Sequence, residues 1–171
     1  PGVFFDETVH PNGKRLFSSR IIPYRGAWVE FTMDINDAMY VHIDRKRKLP
    51  VTVLLRALGF GSDLDILGLF YERVTVAVTR KLQGRLIVAD VADPSTGEVI
   101  VETFTQITAE VLGQLEDHKI EEVEIFVSSL EDEANVIENT LRRDPCQDER
   151  GEEDALYRIY SLLRPGDPPN V

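Results

Sequence analysis

Four consecutive cations, Arg45, Lys46, Arg47 and Lys48, stand just before a predicted helix. A helix N-terminus favours anions, so a purely structural role would place basic residues elsewhere. Such a run can contact the phosphates of a nucleic acid. It can equally form a solvated loop whose cations pair with nearby acids such as Asp44. The spacing alone leaves both interpretations open.

The single tryptophan, Trp28, is a second candidate for nucleic-acid contact. The segment from Ala27 to Met33 alternates as a strand does, which places Trp28 on the polar face with Glu30 and Thr32. An exposed tryptophan near a cation such as Arg25 can stack on a base. The pattern alone favours the other interpretation, in which Trp28 packs against a neighbouring element.

Other residue types that could do chemistry lack the required spacing. The histidines His10, His42 and His118 are far apart and do not form a metal-ligand pattern, so we expect no metal site. Gly59-Phe60-Gly61 lacks the third glycine of a dinucleotide loop and is typical of a helix end. The lone Cys146 lies among acids that raise a thiol pKa, which disfavours a nucleophile.

Acidic residues cluster at Glu121, Glu122 and Glu124, and again in the run 131–133. Such clusters usually form solvated faces or the first turn of a helix. An independent hydrolase with paired carboxylates remains an alternative interpretation. It predicts a concave pocket that holds two carboxylates with perturbed pKa values.

The formal net charge of −11 is unevenly distributed along the chain. Residues 1–50 hold eight Lys/Arg and six Asp/Glu, a balance of +2, so residues 51–171 carry −13. Contact with nucleic acid is therefore expected in the first fifty residues, since the remainder would repel phosphate.

Hydrophobic periodicity predicts two hairpins in the first part of the chain. The Asn12-Gly13 turn joins the first two extended segments, and Asn36-Asp37 joins the next two as an antiparallel pair. The predicted strands are 3–7, 15–22, 27–33 and 39–43.

Two short helices follow these hairpins. Pro50 fits the first turn of the first helix, which Gly59 and Gly61 end. Ser62 or Asp63 is expected to cap the second helix, which extends to Tyr71.

The middle of the chain predicts a β-α-β module. Strands are expected at 73–79, at 86–91 paired with 98–103, and at 123–127. Thr108 is expected to cap a helix, with Ile107 packed onto Leu112 across the cap.

The last part predicts helices at 132–143 and 152–163, and a linker from Arg164 to Pro169. In the second helix the side chains of Leu156, Ile159, Tyr160 and Leu163 are expected to face inward.

These elements predict an α+β fold with mixed antiparallel sheets, short helices and an inserted β-α-β module. The predicted division is 1–78 with 132–171 as one body and 79–131 as the insert. The chain lacks a membrane-length apolar run and a signal-peptide pattern. A single cysteine fits a reducing compartment. A start at Pro1 without methionine is expected of a cut or processed chain.

Several motifs resemble the β subunit of bacterial RNA polymerase, in order and in spacing. The matching segments run through 1–72 and 137–170, while 84–139 resembles the variable inserted β-β′ module. The motifs are Pro1–Asp6, Arg20–Trp28, Ile43–Pro50, Leu55–Gly59, Thr140–Pro145, Ile159–Tyr160 and Leu163–Pro169. The resemblance implies a fragment of the lobe region of that subunit.

The resemblance also implies the function. The whole polymerase is a nucleotidyltransferase, whereas this fragment would hold no catalytic residue and no cofactor, with Mg²⁺ bound elsewhere. The lobe would form one side of the cleft and contact nontemplate DNA and the downstream duplex. The matching contact residues are Trp28, Arg25, Arg45, Lys46 and Arg47. At position 46 many members have arginine, and lysine can meet phosphate there only as a point charge, without bidentate geometry.

The implied partners are DNA, the β′ and α subunits and σ factor, in the cytoplasm and away from membranes. A second function from another class is protein docking, in which the acidic insert from Glu121 to Glu133 recruits a transcription regulator. The two functions differ in the residues that matter: Trp28 and the cations for DNA, or the insert acids for a protein.

Overall fold

A computed structural model describes residues 1–128, 135–147 and 150–166. The chain divides into two compact units, Pro1–Leu67 with Asp132–Val171 and Gly68–Glu131. Both combine antiparallel strands with short helices, which confirms the predicted α+β class.

The first unit contains a five-stranded antiparallel sheet in which each strand pairs with the next. Its strands are β1 (Gly2–Val9), β2 (Arg15–Ile22), β3 (Val29–Met33), β4 (Met39–Ile43) and β5 (Leu49–Pro50). Gly13 has a φ of 86°, which a residue with a side chain rarely adopts, and this permits the tight turn between β1 and β2. Both predicted hairpins are confirmed.

Among the residues that the structure describes, four helices begin or lie in the first unit. They are α1 (Val51–Ala57), α2 (Asp63–Phe70), α4 (Val136–Leu141) and α5 (Gly151–Leu163). The predicted cap at Ser62 is confirmed, because its Oγ accepts a hydrogen bond from the Asp65 N–H at 3.1 Å. Pro50 lies outside the first turn of α1: it is the cap residue and still pairs with Tyr40 in the sheet.

The inward face of α5 differs from the predicted one. Ala155 is fully buried and Ile159 is half-buried, whereas Leu156, Tyr160 and Leu163 are exposed. Small residues face inward because Gly151 lies against the backbone of Gly61 and Cys146, where a Cβ would come within 2.8–2.9 Å of carbonyl oxygens. Close packing therefore requires small residues at Gly151 and Ala155, whereas Ile159 packs inward as predicted.

The second unit, described from Gly68 to residue 128, contains a three-stranded antiparallel sheet, a small hairpin and one helix. Its elements are β6 (Tyr71–Ala77), a 3₁₀ turn at Arg80–Leu82, β7 (Leu86–Ile87), β8 (Val91–Ala92), β9 (Val99–Val101), α3 (Ala109–Asp117) and β10 (Glu122–Ser128). The strand order of the sheet is β6-β10-β7, and β8 pairs with β9.

The core of the second unit joins α3 to the sheet. Ile107, Leu112 and Leu115 are buried with Val123 and Ile125 in one cluster. The predicted cap is confirmed, because Thr108 Oγ1 accepts a hydrogen bond from the Val111 N–H. The placement of Ile107 and Leu112 in the same cluster agrees with the predicted packing across the cap.

The predicted strand 86–91 is wrong as a single element. It splits into β7, which pairs with β10, and β8, which pairs with β9 across the turn at 93–97. Ile87 pairs with Ile125 of β10, whereas Val91 pairs with Val101 of β9, so the segment changes its pairing partner between these two residues.

The compact units meet between Leu67 and Gly68, and β6 pairs along its length with β10 within the second unit. The predicted domain boundary after residue 78 stays a prediction. The assignment of the two units as a lobe and an insert stays a prediction. The predicted helix 132–143 contains α4, while residues 132–134 lie outside the described residues. The acidic run 131–133 and the end of the predicted linker, 167–169, also lie outside them.

Candidate nucleic-acid interface

The basic run lies in the loop between β4 and β5, and its backbone is fixed by hydrogen bonds. Asp44 donates its N–H to the carbonyl of Trp28 at 2.9 Å, and Lys46 donates to the carbonyl of Ile43 at 3.1 Å. The Lys46 carbonyl lies 3.1 Å from Nδ1 of His42. These contacts hold the loop beside the residue that precedes β3.

Asp44 and Arg45 have φ values of 53° and 55°, in the left-handed region. This region is uncommon for residues with a side chain and persists where surrounding contacts require it. The tight reversal directs Arg45 back toward the start of β3.

Arg45 and Trp28 form a pair at this end of the sheet. The guanidinium carbon of Arg45 lies 5.4 Å from the centroid of the Trp28 ring, within the range of a cation–π interaction. Trp28 is half-buried and precedes the first paired residue of β3. This arrangement is compatible with both interpretations of Trp28, packing and base stacking, because the ring packs on a cation and still has exposed surface.

The loop cations are exposed and have no ion pair within residues 1–128, 135–147 and 150–166. The pairing with Asp44 that would make the loop merely solvated is thus absent from this part of the chain. Lys48 instead places its Nζ 4.2 Å from the centroid of the Tyr40 ring. Arg25 is exposed in the segment between β2 and β3.

The structure brings together two of the five predicted contact residues, Arg45 and Trp28. Lys46 and Arg47 are exposed in the same loop as Arg45, and Arg25 lies in the segment before Trp28. Sequence reasoning missed the pair of Lys48 with Tyr40. The signal for it lies in the register, because Tyr40 is opposite Pro50, two residues after Lys48.

A buried arginine in α1 links separate segments of the first unit. Arg56 is 1% exposed, and it donates from Nε to Asp144 at 2.9 Å, from Nη1 to the Gly61 carbonyl at 2.5 Å, and from Nη2 to Asp63. Burial works to lower the pKa of Arg56, but the hydrogen bonds and charges of the two carboxylates outweigh it, so the pKa is raised. The guanidinium is therefore charged and bound by two carboxylates and a carbonyl, and it ties α1 to two other segments.

Cys146 lies beside this network and is fully buried. Burial raises the pKa of its thiol, and the nearby charge of Asp144 adds to the effect. The direction agrees with the sequence prediction that the thiol is not activated.

Carboxyl groups with a clear pKa shift are stabilised as anions. The pKa of Asp93 in the second unit is lowered by hydrogen bonds from Ser95 and then by His118, whose Nδ1 lies 2.6 Å from Asp93 Oδ2. The pKa of Asp90 is lowered by hydrogen bonds from Thr103. These shifts are opposite to that of a general acid, which needs a raised pKa.

Within the described ranges, groups of three or more His, Cys, Asp or Glu side chains that could hold a metal ion do not occur. The helices of those same ranges are too short or too polar to cross a bilayer.

A family model and several known proteins match this chain. The model of the family described as "RNA polymerase Rpb2, domain 2" matches residues 1–109. The chain is 43% identical over 190 residues to the DNA-directed RNA polymerase subunit beta of Porphyromonas cangingivalis, covering 98% of this chain and 15% of that relative.

Other relatives agree with this match. The beta subunit of Bacteroides thetaiotaomicron is 43% identical over 189 residues, with 98% of this chain and 15% of the relative covered. That of Christiangramia forsetii is 40% identical over 191 residues, with 99% and 15% covered. The chain spans about 15% of the length of these relatives. Because the family model matches more than half of the residues of this chain, the chain belongs to the RNA polymerase Rpb2 domain 2 family.

Proposed function

We propose that this chain is a non-catalytic lobe of the β subunit of a bacterial DNA-directed RNA polymerase and forms one side of its DNA cleft. In this role it contacts the nontemplate strand and the downstream duplex. The observation that carries the proposal is the contact of Arg45 with Trp28 beside exposed cations that lack an ion pair within the described residues. The relatives named above supply the polymerase context.

The chemistry of the loop suits a single-stranded or kinked nucleic acid. Lys46 and Arg47 are exposed and can approach phosphates, and Arg25 adds a cation on the other side of Trp28 in the sequence. The half-exposed Trp28 ring can stack on an unpaired base, and a stacked base contributes about 1–3 kcal/mol in other proteins. Phosphate contact and stacking do not read sequence, so a role in holding DNA of any sequence follows.

Nucleotidyl transfer belongs, in this proposal, to the whole polymerase. Mg²⁺ and the residues that hold it lie outside this chain, and the chain's partners are DNA, the β′ and α subunits and σ factor in the cytoplasm. The contribution of these 171 residues is to hold DNA in the cleft.

The test uses reconstituted polymerase with Trp28→Ala in full-length β. Open-complex lifetime is measured on promoters whose nontemplate strand has either a normal base or an abasic site near the start. A shorter lifetime only where the base is present supports stacking. A substitution that leaves the lifetime unchanged on both templates, or shortens it by the same factor on both, contradicts stacking.

Tyr24 supplies a matched control for this test. It is an aromatic residue four positions from Trp28, it is 94% exposed, and it makes no cation contact in the described part of the chain. Tyr24→Ala is expected to leave the lifetime unchanged. If Tyr24→Ala and Trp28→Ala have equal effects, general loss of aromatic surface explains the result and the proposal fails.

Protein docking by the second unit is a second candidate function. Residues 68–131 hold twelve Asp/Glu and five Lys/Arg, so this unit would repel DNA. Glu121 and Glu122 are exposed and have no ion pair in the described ranges. A basic surface of a transcription regulator fits this charge.

A further inference from the structure

The outer strand of the second unit, β6, has an open hydrogen-bonding edge. It pairs with β10 on one side and stands at the end of the strand order β6-β10-β7. From Glu72 to Ala77 five of the six residues are exposed, and Val76 is half-buried. The side of β6 that faces away from β10 is therefore accessible.

The direction of each peptide group follows from two backbone hydrogen bonds. Val78 donates to the carbonyl of Glu121, which is directly opposite it when the β6–β10 register is continued by one residue. In an antiparallel pair the bonded positions alternate. The peptide groups of Val76 and Val74 therefore face β10, and those of Arg73, Thr75 and Ala77 face the open edge.

The other side of β10 gives an independent check. Val88 donates to the carbonyl of Glu124 at 3.0 Å, so the Glu124 peptide group points toward β7 and away from β6. Glu124 is opposite Thr75. Both members of a non-bonded pair point away from each other, which agrees with an outward Thr75.

Edge strands of natural sheets usually carry features that block further pairing, such as proline, lysine or a bulge. In β6 the charged residues Glu72 and Arg73 lie near its start, whereas Val74–Ala77 has no charge and no proline, and the register with β10 is continuous. Val74 and Thr75 are β-branched, and such residues favour extended structure. This part of the edge therefore lacks the features that prevent pairing with another strand.

The two faces beside this edge differ in chemistry. On one face Val76 packs against the core, and Val74 is 36% exposed next to it. On the other face Arg73 lies over the Phe126 ring, and the small side chains of Thr75 and Ala77 lie opposite Glu124 and Glu122 of β10. These carboxylates have no ion pair within residues 1–128, 135–147 and 150–166.

An added strand would lie about 5 Å from β6 and about 10 Å from β10. Because Thr75 and Ala77 are small, long basic side chains on the added strand can pass over them toward Glu124 and Glu122. Apolar side chains at the alternate positions would extend the contact of Val74 and Val76. Hence the edge selects a strand by backbone pairing and by charge together.

We propose that β6 docks an extended peptide strand in which Lys or Arg alternates with apolar residues, by antiparallel or parallel strand addition through Arg73, Thr75 and Ala77. The proposal rests on protein docking as the function of this unit and names the chemistry of the partner. It is independent of the DNA contact proposed for the first unit.

The test uses the whole 171-residue chain and a fluorescent, end-blocked peptide of alternating lysine and valine. Hydrogen exchange is measured residue by residue, without peptide and at saturation. The amides of Arg73, Thr75 and Ala77 are expected to exchange fast in the free chain and at least about tenfold more slowly in the complex, since each gains a hydrogen bond. The amides of Val74 and Val76 are expected to be slow in both states.

Thr75→Pro blocks the edge without removing a bond to β10, because the Thr75 N–H faces outward. Peptide affinity is expected to fall at least about tenfold for Thr75→Pro and to stay within about twofold for Thr75→Val, which keeps the N–H. A peptide N-methylated on alternate residues repeats the test from the other side: methylation of one edge abolishes binding and methylation of the other does not. This arm stands even if Thr75→Pro fails to fold.

Three results would overturn the proposal. They are no binding of the alternating peptide, equal binding of a peptide with the lysines and valines in separate blocks, and equal binding of both N-methylated peptides. If Glu122→Gln with Glu124→Gln weakens binding while both N-methylated peptides still bind, the acidic face docks a basic partner without strand addition. In that case protein docking stands and this inference fails.

Discussion

Two cationic regions of the first unit, close together in sequence, differ in burial and in hydrogen bonding. Arg56 in α1 is buried and bound by two carboxylates and a carbonyl, whereas the cations of the β4–β5 loop are exposed and have no ion pair in the described residues. A buried charge without partners would be strongly destabilising, so the fold must saturate Arg56. Loop cations carry no such requirement, and what they contact is left to function.

The largest effect is expected from removing the buried cation, Arg56. Arg56→Ala leaves Asp144, which is 0% exposed in its side chain, without its cation. The free energy of unfolding is expected to fall by about 3–5 kcal/mol, measured by urea denaturation. Arg47→Ala, the control in the loop, is expected to change it by less than about 0.5 kcal/mol. Equal decreases in the two variants would remove the distinction between the regions.

A second variant tests how tightly Arg56 is enclosed. A Cβ on Gly151 would lie 2.8 Å from the Gly61 carbonyl, 2.9 Å from the Cys146 carbonyl and 3.4 Å from Arg56 Cδ. Gly151→Ala is expected to lower the free energy of unfolding by about 1–3 kcal/mol, because backbone atoms cannot give way easily.

Gly113 in α3 is the matched control, because a Cβ there would have nothing within 4 Å. Gly113→Ala is expected to raise the free energy of unfolding by about 0.5–1 kcal/mol through helix propensity. Thermal or urea unfolding of both variants decides the matter, and a neutral Gly151→Ala would mean that α5 is not held close to the Arg56 network.

The third prediction concerns the exposed cations of the β4–β5 loop. If the proposed DNA contact is right, replacing Arg45, Lys46 and Arg47 by alanine in full-length β is expected to leave folding of the first unit intact and to weaken promoter complexes. The slope of log affinity against log salt should become shallower by about 0.7–0.9 for each phosphate that these cations neutralise. Filter binding over a range of salt concentrations measures it, and an unchanged slope would show that these cations do not meet phosphate.

The smallest effect is expected at Lys48. Lys48 belongs to the loop but has a ring partner, Tyr40. Lys48→Met is expected to lower the free energy of unfolding by about 0.5 kcal/mol, the usual contribution of an exposed cation–π contact. Lys46→Met is the control and is expected to have no measurable effect. Equal behaviour in calorimetry would place Lys48 with the other cations of the loop.

Local signals predicted much of the fold. Turn residues such as Asn12-Gly13 and caps such as Ser62 and Thr108 act over a few residues, so the hairpins of the first sheet and the starts of α2 and α3 follow from the sequence. The prediction for the inward face of α5 failed because hydrophobicity points to Leu156 and Tyr160. Packing against Gly61 and Cys146 instead requires small residues, and that requirement comes from distant segments.

The candidate site was predicted in part for the same reason. The residue types at Trp28 and Arg45 and the charge balance indicated a nucleic-acid surface. The contact between them depends on the reversal at Asp44 and Arg45, which the sequence does not signal. The Arg56 network joins residues 88 positions apart, so periodicity cannot reveal it.

The left-handed backbone at Asp44 and Arg45 has a consequence for how the loop meets a partner. Glycine at either position would relax the backbone and would also let the loop sample many more conformations. Side chains at both positions and the backbone hydrogen bonds to Trp28 and Ile43 restrict the loop, so the backbone of Arg45 is already oriented before a ligand binds. Little backbone entropy remains to be lost on association, so a contact made through this loop can be brief and reversible and yet well oriented.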